Sequence, residues 1–176
     1  MARVPLAEPD QLTTDEREQY DRFPSHLTQA LLLVDRRLAR ALPETANALR
    51  ASRLDPRLRE GVILRVAALQ DSAYERLQHL DQAHEVGWTR DQIDALERGD
   101  HATLPDPYPA VMAFVDACVV SPQVDDATFD AVRPVLSPQE IATTILLIGH
   151  YLSVARLTGV LQIEPDAHPD SWIAEH

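Results

Sequence analysis

The sequence predicts an all-helical domain arranged around a central antiparallel helix pair. Two observations carry this. Apolar residues recur at spacings of three and four along most of the chain, with helix start and stop signals between the periodic stretches. There is no convincing alternating strand and no Asn-Gly or Asp-Gly hairpin turn.

Each element has its own reason. Residues 1–11 read as an extended arm. Thr13/Glu16 has capping-box spacing and opens a helix over 13–22. Helices are expected over 26–41 and 44–52. Asp55-Pro56 pairs an N-cap residue with proline at the first helical position and opens a helix over 56–70. Its Leu58, Val62, Leu64, Val66, Ala68 and Leu69 leave little polar surface. Ser72/Glu75 opens the next helix, 72–86, and Gly87 ends it as a C-cap glycine. Thr89/Gln92 and Gly99 bracket 90–98 in the same way. Asp106-Pro107 starts 107–120, a short helix covers 126–134, and Ser137-Pro138 with Glu140 starts 138–162. In that last helix Ile141, Ile145, Ile148, Leu152 and Ala155 form the expected inward stripe, broadened by Leu146, Leu147 and Val154. Two nearly all-apolar helices in one chain either form its centre or turn apolar area towards another subunit. The helical domain thus covers 12–163, and a Pro/Asp/His-rich tail, 164–176, is expected on the surface.

Composition narrows the function. The chain has 176 residues, enough to bury a core without a disulfide or a metal. Its single cysteine, Cys118, excludes an internal disulfide. All sixteen basic residues are arginine, which excludes Schiff-base chemistry on lysine. A net charge of −12 argues against a nucleic-acid partner. The longest apolar run, Ile141 to Val154, contains His150 and is short for a membrane span, so no membrane partner is expected and the cytoplasm is the default compartment. No Gly-rich phosphate loop and no H-E-x-x-H occurs, so neither a nucleotide cofactor nor a metal is assigned.

The informative stretch runs from Glu60 to His79. Glu60 interrupts an apolar helix. Glu75 and His79 are four apart and share a face of the next one. If the two helices fold back on each other, Glu60 and His79 approach, and a carboxylate beside an imidazole in apolar surroundings can move a proton near neutral pH. Plainer readings stand beside this one. Ser72 and Glu75 fit a capping box alone, Glu75 and His79 fit a solvated helix pair, and Glu60 fits a first-turn acid favoured by the helix dipole. His150 fits a hydrogen-bonded core histidine, or a member of the same pocket as His79.

The chain resembles the carboxymuconolactone decarboxylase / alkylhydroperoxidase D-like family. The likeness rests on Leu54 through Ala68, Tyr74-Glu75, His79, Gly87-Trp88-Thr89 with Ile93 and Leu96, Phe114 to Ala117, Asp126 to Phe129, and Leu147 to Tyr151 with Val154 to Arg156. It spans about residues 3–165. The resemblance implies an all-helical fold and homo-oligomers: dimer, trimer or hexamer. The hydroperoxidase branch uses a glutamate, a C-x-x-C and a histidine. Glu60 and His79 match the first and last, but the cysteine positions fall on Ser72 and Glu75. A dithiol peroxidase is therefore disfavoured, and Cys118 reads as an inert core residue.

What the resemblance then implies is the decarboxylase branch: cofactor-free proton transfer, as decarboxylation or isomerisation, on a small cyclic or aromatic-derived carboxylic acid. His79 is the expected proton donor, Glu60 orients it, and Glu75 holds the imidazole or the substrate. Tyr74 is expected to donate to an enolate oxygen, and Arg65 or Arg156 to bind a substrate carboxylate. Ser72 and His150 complete the expected substrate pocket. The alternative is a non-catalytic member kept for assembly or ligand binding.

Overall fold

The computed structural model describes residues 2–34 and 36–166, and of Arg36 only the backbone. The described residues are helical without any strand. The helices are α1 (Thr14–Arg22), α2 (His26–Leu31), α3 (Arg36–Arg50), α4 (Pro56–Leu69), α5 (Ala73–Glu85), α6 (Arg90–Arg98), α7 (Tyr108–Val120), α8 (Asp126–Val132) and α9 (Pro138–Leu161). Short 3-10 turns lie at Pro9–Gln11 and His101–Thr103.

α4 is the axis of the molecule and packs against α5, α6, α7 and α9. It is buried almost all round, including Glu60, Gly61 and Arg65. Gly61 permits the closest approach. A Cβ there would lie 2.5 Å from Trp88 Cζ2 and 3.3 Å from Met112 Cε. Trp88 in turn donates its Nε1–H to the Arg57 carbonyl at 2.8 Å. The indole thereby fixes the start of α6 on the first turns of α4.

Three of the four expected capping boxes close reciprocally, at Thr13/Glu16, Thr89/Gln92 and Ser137/Glu140. Gly87 and Gly99 both take positive φ, 94° and 76°. Other expectations are corrected. In place of helices over 26–41 and 44–52, α2 stops at Leu31 and α3 runs through Pro43. The amides of Leu33 and Val34 bond three residues back, to Ala30 and Leu31, which tightens and ends α2. Both side chains are exposed, so no burial rewards a continuous helix there. Pro43 removes one ladder bond from α3, while Ala39 and Leu49 anchor the helix on the core on either side of it. Asp106 does not cap α7: Pro107 occupies the N-cap position, with no side-chain cap bond.

α9 also differs from expectation. Its inward stripe is Ile141, Thr144, Leu147, Ile148, Tyr151, Val154, Ala155 and Thr158. Ile145 and Leu146 face outward, exposed at 46% and 67%. Apolarity on both sides of the helix hid the true phase from the sequence. At 24 residues α9 is long and apolar enough to cross a membrane, yet its inner stripe packs on α4, α5 and α7.

The arm and the start of the tail are tied down. Arg3 N–H donates to the Leu161 carbonyl at 2.8 Å, and Leu6 packs against a small cluster of Ala30, Tyr74 and Ile163. The tail beyond Asp166, with His168 and His176, lies outside the described residues.

Candidate active site

Gln70, Asp71 and Ser72 turn α4 over into α5. Asp71 takes a left-handed φ of 51°, a conformation that aspartate tolerates better than most residues. Ser72 Oγ accepts the N–H of Glu75 at 3.4 Å and caps α5. The fourth capping box ends there. The Glu75 carboxylate does not return to the Ser72 amide, as its counterparts do in α1, α6 and α9, and is buried instead.

The fold-back brings Glu60 and His79 together. His79 Nδ1 lies 2.7 Å from Glu60 Oε2, with both side chains almost wholly buried. Burial drives the Glu60 carboxyl up, but the hydrogen bond and charge of His79, with those of Arg59, outweigh it and hold the group below the ordinary carboxylate range. Glu60 is therefore ionised, and a bond this short to a carboxylate requires the proton on Nδ1. Arg59 closes the other carboxylate oxygen, with Nε 3.0 Å from Oε1.

Glu75 sits on the opposite edge of the imidazole. Its Oε2 is 3.8 Å from His79 Nε2, beyond hydrogen-bond range. Burial raises its pKa to about 7, against the pull of His79. Nε2 thus makes no hydrogen bond among the described residues and stands next to a carboxyl that is about half protonated at neutral pH. Tyr151 completes the enclosure. Its ring stands edge-on to His79, with centroids 5.0 Å apart, and His150 stands edge-on to Tyr151 at 5.2 Å. Burial and then the charge of His79 lower the His150 pKa, favouring the neutral ring.

Four residues expected to bind substrate do other work. Tyr74 precedes Glu75 by one residue and so projects about 100° away around α5. Its hydroxyl donates to Asp166 Oδ2 at 2.6 Å and accepts the Leu27 N–H at 3.3 Å, tying α5 to α2 and the tail. Arg65 faces α6 and α7. It forms a two-point pair with Asp116, at 2.6 and 2.9 Å, and donates to the Leu96 and Glu97 carbonyls. Arg156 is exposed on α9. Ser72 is spent on the cap. Of the expected pocket residues, His150 reaches the cluster through Tyr151 and feels the charge of His79.

Tyr151 and Arg59 join the site without having been singled out beforehand. Tyr151 had a signal in the sequence: it lies three residues after Ile148, on the same inward face. Arg59 had none, because adjacent helix positions diverge and only its long stem lets it reach back to Glu60. Cys118 is a half-buried neighbour of the core on α7, its thiol pKa raised by burial. That is the opposite of a peroxide-reactive thiolate.

The fold and this buried acid–imidazole–acid cluster define an all-helical protein whose central helix pair holds Glu60, His79 and Glu75 together. Residues 36–118, from α3 to α7, match the carboxymuconolactone decarboxylase family. A search of curated proteins returned no match. Among solved structures, an uncharacterized peroxidase-related protein from Ralstonia eutropha JMP134, with an alkylhydroperoxidase AhpD core, superposes with a TM-score of 0.75. It is 17% identical, over 94% of this chain and 92% of its own. An uncharacterized peroxidase-related protein from Silicibacter sp. TM1040 gives 0.72 at 15% identity, over 94% and 91%. Residues 36–118 thus match the carboxymuconolactone decarboxylase family, and the fold is alkylhydroperoxidase D-like.

Proposed function

We propose that this chain is a cofactor-free proton-transfer enzyme in which His79 is the base and acid. The supporting observation is the 2.7 Å bond between buried Glu60 and His79 Nδ1, which leaves Nε2 free beside Glu75. Glu60 fixes the tautomer and stabilises the imidazolium. Nε2 takes a proton from a carbon next to an electron-withdrawing group, and the C–H pair moves into an enolate. Returning the proton to the same carbon gives exchange, and returning it to a conjugated carbon gives isomerisation. Loss of carbon dioxide from a suitable acid leaves the same enolate, which the imidazolium then protonates. No thiol, nucleotide or metal enters these steps.

The test is hydrogen–deuterium exchange next to the carbonyl of cyclohexanone and of its para-carboxylated analogue, followed by proton NMR in deuterium oxide. The expected result is protein-dependent exchange of at least one ketone. It should fall roughly 10²–10⁴-fold in Glu60→Gln and His79→Asn, the usual contribution of a positioned acid or base. Exchange no faster than buffer for either ketone, or unchanged in both variants, refutes the reading.

A further inference from the structure

We propose that the site takes an uncharged carbonyl compound rather than a carboxylate, with Tyr151 as an unassigned catalytic residue that, together with the Glu75 carboxyl, holds the carbonyl oxygen. The inference rests on the proton-transfer reading and names its substrate class. Two independent observations carry it.

The first is the state of Tyr151. It is 8% exposed, it stands against the His79 ring, and its hydroxyl makes no hydrogen bond among the described residues. Buried tyrosines usually find a partner for that hydroxyl. Tyr74 shows the ordinary case in the same molecule, with Asp166 and Leu27 on its oxygen. An unengaged phenol beside a base is available to a ligand. After burial itself, the carboxylates of Glu75 and Glu60 are the main influences keeping it protonated, so it can only donate to an anionic oxygen. The Glu75 carboxyl, whose pKa burial raises to about 7, is the second donor in its protonated form. A phenol and a neutral carboxyl that both stand against the His79 ring can donate to an enolate oxygen formed beside it.

The second is the distribution of charge. A groove of about 560 Å³ runs between α3 and α9, with His150 in its lining. Leu42, Ala48, Leu49, Leu146 and Gly149 supply much of the wall, and among the described residues no aspartate, glutamate or arginine lines it. The arginines the sequence offered for a carboxylate are elsewhere: Arg65 is held by Asp116, and Arg156 is exposed. Two cations are felt at Tyr151, and both are engaged: Arg59 by Glu60 and the Arg50 carbonyl, and Arg50 by the Gln82 side-chain oxygen. A carboxylate entering past His150, which stands against Tyr151, would meet an apolar wall with no arginine among the described lining residues. A neutral ring bearing a carbonyl loses nothing on entering.

The chemistry balances within the chain. His79 Nε2 accepts the proton, the carbonyl oxygen accepts two hydrogen bonds as it gains the electron pair, and the imidazolium returns the proton.

Binding tests this apart from turnover. The probe is para-nitrophenol, whose oxygen on an aromatic ring mimics an enol, read by its absorbance change on titration. The comparison is para-nitrobenzoate. The phenol should bind saturably and the benzoate roughly tenfold or more weakly. Tyr151→Phe should weaken phenol binding by about tenfold, the worth of one good hydrogen bond, and slow ketone exchange. That variant removes a hydroxyl with no protein partner, so its melting curve should match the parent's. Gly149→Phe serves as a second variant, because a Cβ there meets nothing within 4 Å. It should fill the groove and abolish phenol binding.

No saturable phenol binding, benzoate binding as tight as phenol, or no effect of Tyr151→Phe would each overturn the inference. So would Gly149→Phe altering only the oligomeric state, which would give the groove to a second copy of the chain. Exchange of the carboxylated ketone that does not need Tyr151 overturns the substrate class and leaves the reaction intact. Tyr151-dependent phenol binding without exchange does the reverse.

Discussion

Glu75 shows how one residue can serve stability and chemistry in opposite directions. At the third position of a capped helix a carboxylate is normally favoured by the exposed amides. Here the side chain turns inward, and burial raises its pKa from 4.5 to about 7. The sign of the linkage follows. Below 4.5 the group is neutral in both folded and unfolded chains. As pH rises towards 7 the unfolded chain releases this proton while the folded chain keeps it, so stability falls. The loss levels off above about 7 at a size on the order of 3 kcal/mol. Glu60 works the other way: its lowered pKa contributes stability above the ordinary carboxylate range, lost as pH falls. Glu75→Gln should therefore melt with the parent at pH 4.5 and well above it at pH 8, while keeping a reduced but measurable exchange activity. Equal melting shifts at both pH values would show that Glu75 is not held protonated by the fold. The parent's own activity should decline through about pH 7 as Glu75 ionises, and in Glu75→Gln that limb of the profile should disappear.

At the scale of elements, the sequence disclosed most of what local chemistry controls. Caps at Thr13, Asp55, Thr89 and Ser137, and the stop glycines at 87 and 99, lie where they were expected because each is written in one to four neighbouring residues. The pairing of Glu60 with His79 was also legible, since it needs only two helix lengths and a tight turn. Facing directions were not. Tyr74, Arg65 and Ile145 each looked plausible by type, and each points away from the assigned partner because about 100° per residue separates neighbours on a helix. The break between α2 and α3 was hidden as well, since Pro43 is the stronger punctuation and yet lies inside α3. Gly61 gives a direct test of packing against propensity. Helix propensity alone makes Gly61→Ala stabilising by about 0.5–1 kcal/mol. The 2.5 Å approach of Trp88 reverses that expectation to a loss of about 1–3 kcal/mol, measurable by urea denaturation.

For the whole molecule, the N-terminal arm and the segment from Ile163 to Asp166 meet beside Tyr74 of α5. Asp166 receives the Tyr74 hydroxyl at 2.6 Å and the His26 amide at 2.8 Å, and Arg3 reaches the end of α9. Tyr74→Phe leaves both Asp166 and the Leu27 amide short of a partner, at a cost of about 1–3 kcal/mol. Amide exchange should then quicken over residues 26–31 while α4 keeps its protection, and ketone exchange should persist. Loss of catalysis with protection intact would instead place Tyr74 in the chemistry.

The three-residue reversal at Gln70, Asp71 and Ser72 sets the angular phase of α5 against α4. One extra residue there would rotate every α5 side chain by about 100°, sweeping His79 off Glu60. Helical content, caps and bulk hydrophobicity would be nearly the same in such a chain. The Glu60–His79 contact resides in a count of residues within a bend, so a length change there marks a loss of that contact that a comparison of residue types alone would overlook.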